Sequence, residues 1–338
     1  MTETFTLKTL KKAAELLQSG ELIAFPTETV FGLGAIANNA EAVKKVYEVK
    51  GRPSDNPLIV HISYPEAIFN FAELTEEQKQ LINQIIKAFW PGPLTLVVPV
   101  KPGIFPDVVT GGLNTVGIRL PNHRFTQKLI TETGFPLVGP SANKSGKPSP
   151  TSVDHVLHDF DGEIAGVLDS EPSQIGVEST VLDVSDPHHV QILRPGYVTR
   201  EMLESAIPNL RVSQVSLTDL ETSERPKSPG MKYRHYSPNQ PVIAIEKDQL
   251  LDYVKHHTDE QIGVAANDKL LENLPDNCHT FKLGNDIQSA MHHLFEALRY
   301  FDSNPEIDKI VVELYPDASE NGAYRNRLLK ASSQTIEK

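Results

Sequence analysis

The chain of 338 residues is 39% apolar and 22% charged, and its formal net charge is −12. This composition is typical of a globular protein with a full hydrophobic core, and the length predicts two domains. No apolar run approaches the roughly 18 residues that span a bilayer, and no signal peptide is recognisable, so we expect neither membrane insertion nor secretion. The single cysteine, Cys278, excludes an intrachain disulfide and a cysteine-built zinc site, and favours a reducing, cytoplasmic location. Neither half of the chain is broadly basic, which argues against stable nucleic-acid binding.

The first part of the chain alternates helix-like and strand-like segments, although not in strict β–α–β order. Apolar residues at helical spacing predict helices over residues 7–19, 40–51 and 75–90. Apolar runs predict strands within residues 22–29, 58–62, 91–100, 115–121, 135–142, 166–170, 179–184 and 190–196. We therefore expect an α/β domain with a twisted mixed sheet over residues 1–207.

The remainder of the chain divides into two parts. Residues 208–240 are rich in Ser, Thr, Pro and charge, which is typical of a linker. Residues 241–338 again alternate apolar strands with amphipathic helices, which predicts a smaller, Rossmann-like parallel α/β domain.

Four polar segments lie where predicted strands or helices end, which is where α/β proteins present ligand-binding groups. They are 26–34 (PTETVFGLG), 50–61 (KGRPSDNPLIVH), 115–121 (TVGIRLP) and 139–149 (GPSANKSGKPS). Lys50 and Arg52 flank a glycine and can face one anion, while Thr115 and Arg119 share one face of a strand. Each segment alone also fits a structural role: a capped turn, a solvated basic loop, a salt bridge of Arg119, or a Ser/Pro loop.

Common nucleotide-binding and hydrolase signatures are missing from the sequence. It contains no GxxxxGK[ST] loop, no GxGxxG after a strand, no HExxH and no GxSxG. The adjacent histidine pairs lack the same-face spacing of helical metal ligands, so no protein-built metal site is predicted.

Taken in order, the motifs PTETVFGLG, KGRPSDNPLIVHI, PGPLTLV, VGIRLP, GPSANKSGKPSPT, ESTVLD and LRPG resemble the YrdC family of threonylcarbamoyl-AMP synthases. The resemblance covers residues 7–199. Residues 228–238 (SPGMKYRHYSP) and the sequence GAYRNRLLKA are similar to the lid and the extra domain of the family's two-domain branch. The family usually has a tyrosine where this chain has Phe31, so we expect Phe31 only to pack.

The resemblance implies a nucleotidyltransferase that joins L-threonine, bicarbonate and ATP into L-threonylcarbamoyl-AMP and releases pyrophosphate. The product serves threonylcarbamoyladenosine formation next to the tRNA anticodon, so a tRNA threonylcarbamoyl transferase complex is the expected downstream partner. Mg²⁺ is expected to arrive with ATP, because no acidic ligand cluster is visible in the sequence.

The resemblance also implies site residues at matching positions. Lys50 and Arg52 are expected to act in catalysis by neutralising the triphosphate and the charge that develops at the α-phosphorus. The expected nucleotide-binding residues are Arg52, Asn56, Thr115, Ser141, Ser149, Arg194, His235 and Tyr236. The expected threonine-binding residues are Thr29, His61, Arg119 and Ser179, with Arg119 clamping the carboxylate and His61 meeting the hydroxyl. We expect Lys50 and Arg52 to lie in an exposed loop, and residues 228–238 to close over the nucleotide as a lid.

Two other functions were weighed against this one. A YrdC-like sheet used as an RNA-binding surface would bind bare tRNA in a salt-dependent way, but the chain is not basic. The YrdC-like module of hydrogenase-maturation carbamoyltransferases is accompanied by cysteine-rich zinc motifs, which a single cysteine cannot supply.

Overall fold

The computed structural model describes residues 1–214, 235–275 and 278–337, and the first of these ranges contains one large mixed sheet. Its strands are β1 (Glu3–Phe5), β2 (Ile23–Phe25), β3 (Gly32–Ile36), β4 (Ile59–His61), β5 (Leu94–Pro99), β6 (Thr115–Arg119), β7 (Leu137–Val138), β8 (Gly166–Leu168), β9 (Thr180–Asp183), β10 (Gln191–Arg194) and β11 (Ser213–Gln214). They lie in the order β1-β8-β2-β3-β7-β4-β6-β5-β9-β10-β11, with both parallel and antiparallel pairs. The predicted mixed α/β sheet is confirmed.

Helices cover this sheet and bury its core. They are α1 (Leu10–Gln18), α2 (Ala40–Lys50), α3 (Ile68–Phe71), α4 (Glu76–Phe89), α5 (Asp107–Thr110), α6 (Arg124–Thr133), α7 (Val153–Phe160) and α8 (Arg200–Ala206). The three helices predicted from apolar spacing are present as α1, α2 and α4. α4 begins with a capping box between Thr75 and Gln78, and α2 ends at Gly51, whose φ of 61° only glycine adopts without strain.

Strand β3 is not among the strands predicted from the sequence. In the fold, β3 pairs antiparallel with β2, and the ring of Phe25 lies over both glycines. A Cβ atom at Gly32 or Gly34 would lie within 3.0 Å of that ring. The glycines are therefore required by close packing across the sheet, not by a turn.

The second sheet consists of β12 (Val242–Glu246), β13 (Ile262–Ala266), β14 (His279–Lys282), β15 (Lys309–Leu314) and β16 (Gln334–Ile336). Its order is β14-β13-β15-β12-β16, and every pair is parallel, as predicted for the smaller domain; β16 was not predicted. The accompanying helices are α9 (Lys247–Lys255), α10 (Asp268–Leu271), α11 (Ile287–Asp302) and α12 (Gly322–Ala331). No helix in the described ranges is long and apolar enough to cross a membrane.

The predicted domain boundary at residue 207 falls inside the first unit. Leu210 and Val212 are buried in its core, and β11 pairs with β10. The greater part of the predicted linker, including Lys232 and Arg234 of the predicted lid, lies in residues 215–234, outside the described residues.

The two domains contact each other through a shared cluster of buried apolar side chains. Val30 and Val177 of the first domain belong to the same buried apolar cluster as Tyr236 and the α11 residues Met291 and Phe295. This contact places the second domain beside the loops that follow β2 and precede β9.

Candidate active site

A cavity of about 750 Å³, counted out to its opening, lies at one edge of the first sheet. β4 and β6 run parallel with His61 opposite Arg119, so both strands end at this edge. Ten of the residues predicted for the site line the cavity: Thr29, Lys50, Arg52, His61, Arg119, Ser141, Ser179, Arg194, His235 and Tyr236.

Lys50 is buried, so the expectation that it lies in an exposed loop is wrong. It is the last residue of α2, its residue exposure is 3%, and its Nζ donates to the carbonyls of Ser141 and Asn143, both at 2.5 Å. Burial, followed by the nearby charge of Arg52, holds the pKa of Lys50 well below its usual value. The sequence did not indicate this, because the loop that covers Lys50 lies about 90 residues further along the chain.

Arg52 is half-buried and only loosely held. Its Nη2 donates to the carbonyls of Asn56 and Pro57 at 3.5 and 3.4 Å, and its Nε has no hydrogen-bond partner. In the described part of the chain, neither Lys50 nor Arg52 has a carboxylate within 4.0 Å. Among the described residues, the charges of Lys50 and Arg52 are therefore not paired with a carboxylate at this distance.

Arg119 lies in a buried polar cluster with the segment after β2. Its Nη2 is 2.8 Å from Glu28 Oε2, its Nη1 donates to Thr29 Oγ1 at 2.9 Å, and its Nε donates to the Gly92 carbonyl at 3.2 Å. The hydroxyls of Thr27 and Thr29 are 2.8 Å apart. The salt bridge that the sequence left open is thus present, while Arg119 also lines the cavity.

His61 is a neutral ring in this site. Burial, followed by the charge of Arg119, lowers its pKa to about 3. Its Nδ1 has no hydrogen-bond partner, and its ring meets Phe25 edge-on with centroids 5.4 Å apart. A Cβ at Gly139 would lie 2.8 Å from the His61 ring, so only glycine fits there. A buried, unpartnered ring nitrogen at a cavity wall is suited to hydrogen-bond a ligand.

Ser179, which directly precedes β9, lies next to Arg194, the last residue of β10. The Arg194 guanidinium donates to the Ser179 carbonyl at 3.0 Å and to its hydroxyl at 3.3 Å. Beside them Glu178, which the sequence analysis did not single out, also lines the cavity. Burial alone would raise the pKa of Glu178, but the charges of Arg327 and Arg194 lower it to about 2.

His235 and Tyr236 are the described part of the predicted lid, and both line the cavity. Tyr236 has a left-handed backbone with φ of 65°, and its ring is buried against Phe295 with centroids 5.0 Å apart. The next residue, Ser237, donates its amide to the Gly146 carbonyl at 2.8 Å. These contacts bring the chain after the linker onto the loop that contains Ser141.

Three residues predicted to bind the nucleotide do not line the cavity. Ser149 is fully buried behind it and donates to Glu178 Oε1 at 2.5 Å. Thr115 shares a strand face with Arg119, but four residues along a strand separate them by roughly 13 Å. Asn56 is buried beneath Arg52, and both polar atoms of its amide lack a hydrogen-bond partner.

Other lining residues were not chosen from the sequence. They include Thr27, Asn143, Ser145, Gly146, Lys147 and Glu178. Most of them lie in the polar segments 26–34 and 139–149, so the sequence signal for them is the motif itself. Among the described residues, no group of three or more His, Cys, Asp or Glu side chains is arranged to hold a metal ion.

Two family models together cover nearly the whole chain. The Sua5_yciO_yrdC model, described as "Telomere recombination", matches residues 15–196, and "Threonylcarbamoyl-AMP synthase, C-terminal domain" matches residues 198–333. The chain belongs to the Sua5/YciO/YrdC family. With its second domain, it is a two-domain enzyme of the threonylcarbamoyl-AMP synthase branch, as the sequence motifs predict.

Individual relatives support this placement. The chain is 44% identical to the threonylcarbamoyl-AMP synthase of Bacillus subtilis over 97% of this chain and 94% of that protein. The crystal structure of Pyrococcus abyssi Sua5 complexed with L-threonine is similar with a TM-score of 0.89 and 37% identity, covering 99% of this chain and 100% of that one. A relative of the same name from Photobacterium profundum is 34% identical over 55% of this chain and 98% of its own length.

Proposed function

We propose that this chain synthesises L-threonylcarbamoyl-AMP from L-threonine, bicarbonate and ATP and releases pyrophosphate, for threonylcarbamoyladenosine formation next to the tRNA anticodon. The observation that carries the proposal is the pair Lys50 and Arg52, two cations without a carboxylate partner among the described residues, in a cavity that also holds Arg119 and His61. The Pyrococcus abyssi relative crystallised with L-threonine supports the amino-acid half of the reaction.

The reaction has two steps that the cavity must accommodate together. The threonine amine attacks the carbon of bicarbonate, and a C–N bond forms as water leaves, giving a carbamate. A carbamate oxygen then attacks the α-phosphorus of ATP, and the bond to the pyrophosphate oxygen breaks. Both reactants of the second step are anions, so cations at the site are needed to offset their repulsion.

The nucleotide half is proposed to use the cations on the α2 side of the cavity. Lys50 is fixed by two carbonyls of the loop 141–143, so its ammonium needs no reorganisation when negative charge arrives. Arg52 is held by two long hydrogen bonds and can turn toward the phosphates. Ser141 and Arg194 line the same space, and Ser149 supports it through Glu178.

The threonine half is proposed to use the strand ends on the other side. Arg119 is held by Glu28 and Thr29, and a guanidinium with five N–H donors can still donate to the carboxylate of threonine while keeping those contacts. Neutral His61 offers its unpartnered ring nitrogen to the threonine hydroxyl. Since no side chain here acts as a covalent nucleophile in this scheme, the rate enhancement comes from positioning and charge.

Mg²⁺ is proposed to enter as the Mg²⁺ complex of ATP. Among the described lining residues the one carboxylate is Glu178, and its two oxygens already accept from Ser149 and Arg327. The residues therefore suit a metal held by phosphate oxygens and water rather than by the protein; when bound, the ion would neutralise the departing pyrophosphate.

The segment that contains His235 and Tyr236 is proposed to close the cavity over the adenylate and shield the labile carbamate from water. The product would pass to a tRNA threonylcarbamoyl transferase complex. A cytoplasmic location stays a prediction from the single cysteine.

The test is pyrophosphate release from Mg²⁺·ATP in reactions that lack either threonine or bicarbonate. We expect release only with both present, and a product with the mass of threonylcarbamoyl-AMP. Release that is independent of threonine, or salt-sensitive binding of bare tRNA without release, would contradict the proposal.

A further inference from the structure

Arg327 on α12 of the second domain is fully buried and contacts residues at the cavity wall. Its Nε donates to Glu178 Oε2 at 2.9 Å, and its Nη2 donates to the Glu178 carbonyl at 3.0 Å. Its Nη1 donates to the Pro195 carbonyl at 2.5 Å. One arginine therefore holds two loops of the first domain, the loop before β9 and the loop after β10.

Each of these two loops contains or adjoins a residue that lines the cavity. Ser179 follows Glu178, and Arg194 precedes Pro195. A Cβ at Gly196 would lie 2.2 Å from the Thr180 amide nitrogen, so the two loops are packed at the limit of contact. Glu178 Oε1 also accepts from Ser149, which ties the loop 139–149 to the same carboxylate.

The charge of Glu178 makes this arrangement depend on Arg327. Glu178 is buried, and the two cations that lower its pKa are Arg327 first and Arg194 second. Without Arg327, a buried carboxylate would have Arg194 as its remaining strong attraction. Arg194 would then be drawn from its contacts with Ser179 toward Glu178.

We propose that Arg327 is a positioning residue for nucleotide binding, which neutralises Glu178 and keeps Arg194 aligned at the cavity wall. The inference rests on the proposed function only in taking ATP as the ligand. It also gives the second domain a role at the site. The Photobacterium profundum relative, by contrast, matches 55% of this chain over 98% of its own length.

The experiment measures the dissociation constant of Mg²⁺·ATP by isothermal titration calorimetry on full-length protein. We expect Arg327→Met to weaken ATP binding by about tenfold or more, because it leaves a buried carboxylate that competes for Arg194. The matched control is Arg299→Met, which removes another interdomain ion pair, Arg299 to Asp159 at 2.9 Å, without touching a residue that lines the cavity. Arg299→Met should change the ATP dissociation constant by less than about twofold.

A second variant separates charge from loss of packing. Glu178→Gln combined with Arg327→Met removes both charges, so it should bind ATP at least about threefold more tightly than Arg327→Met alone. A double variant that binds no better than Arg327→Met, or an equal loss in Arg299→Met, would overturn the proposal. If Arg327→Met does not fold, the double variant still decides: near-normal ATP binding supports the proposal, and absent binding in a folded protein refutes it.

Calorimetry does not require turnover, so this result is independent of the proposed reaction. Pyrophosphate release by the unsubstituted protein tests that reaction separately. ATP binding without release would contradict the proposed function and leave the role of Arg327 measurable.

Discussion

Lys50→Met is expected to abolish most turnover and to lower stability as well. The substitution keeps the aliphatic stem but removes the ammonium that donates to the carbonyls of Ser141 and Asn143. Losing a preorganised cation where charge develops in the transition state should reduce turnover by about 10²-fold or more. The sequence-based expectation that Lys50 is exposed would have predicted an unchanged melting temperature.

The stability change follows from the hydrogen bonds that the Lys50 ammonium makes in the unsubstituted protein. One buried and one partly buried carbonyl lose their donor, at up to about 1–3 kcal/mol each, while the cost of burying the ammonium charge disappears. We therefore expect the free energy of unfolding to fall by about 1–3 kcal/mol in the absence of ligand. Denaturant titration measures it.

The lowered pKa of Lys50 also predicts that ATP binding is coupled to the uptake of a proton. Burial and Arg52 lower the pKa of Lys50 in the free protein, and a bound polyphosphate would raise it again by supplying negative charge. At a pH between the pKa of Lys50 in the free protein and its higher pKa in the ATP complex, Lys50 therefore takes up a proton on binding. The affinity for ATP falls as the pH rises above the pKa of the free protein. Calorimetry in two buffers of different ionisation enthalpy measures the uptake.

The matched control is Lys144→Met. Lys144 donates to the Val49 carbonyl near the end of the same helix and pairs with Glu163, but it is partly exposed and does not line the cavity. Turnover should stay within about twofold and stability within about 1 kcal/mol of the unsubstituted protein. Near-normal turnover in Lys50→Met, or proton uptake that persists in it, would refute the reasoning.

Three further predictions concern threonine and the lid. Arg119→Lys keeps the charge but loses the planar guanidinium, so threonine binding should weaken by about 1–3 kcal/mol and ATP binding much less. Equal losses of threonine and ATP affinity in calorimetry would mean that Arg119 acts only through its salt bridge with Glu28. Because the pKa of His61 is lowered to about 3, its ring stays neutral and threonine affinity should show no His61-dependent step between about pH 5 and pH 8. A step that His61→Asn removes would contradict this. Truncation after Gln214, which retains β11, should leave a folded domain by circular dichroism that releases little pyrophosphate; full activity would show that the lid and second domain are dispensable.

The positions of the site residues along the chain could be predicted, because motif order and strand ends are local features. Apolar runs located β4 and β6, and their parallel pairing brings His61 and Arg119 together at one edge. The glycine at 51, which ends α2, was also visible as a helix stop. Thr115 lies four residues from Arg119 along the same strand and does not line the cavity, so its role in nucleotide binding stays a prediction.

Burial and charge pairing could not be predicted, since they depend on contacts between distant segments. Lys50 and Arg52 are two residues apart and looked equivalent, yet one is fixed by carbonyls about 90 residues away and the other is loosely held. Glu178 finds its partner 149 residues further on, in another domain.

These long-range contacts determine how charge is distributed in the cavity. The one carboxylate among the described lining residues is neutralised by Arg327 from outside the cavity, whereas the partners of Lys50 in the described part of the chain are carbonyls. A Lys50 carboxylate partner would stabilise the free protein but would compete with a phosphate for the ammonium. Without such a partner, the charge on Lys50 lowers the stability of the free protein. An anionic substrate that pairs with this charge recovers the lost free energy, which strengthens its binding.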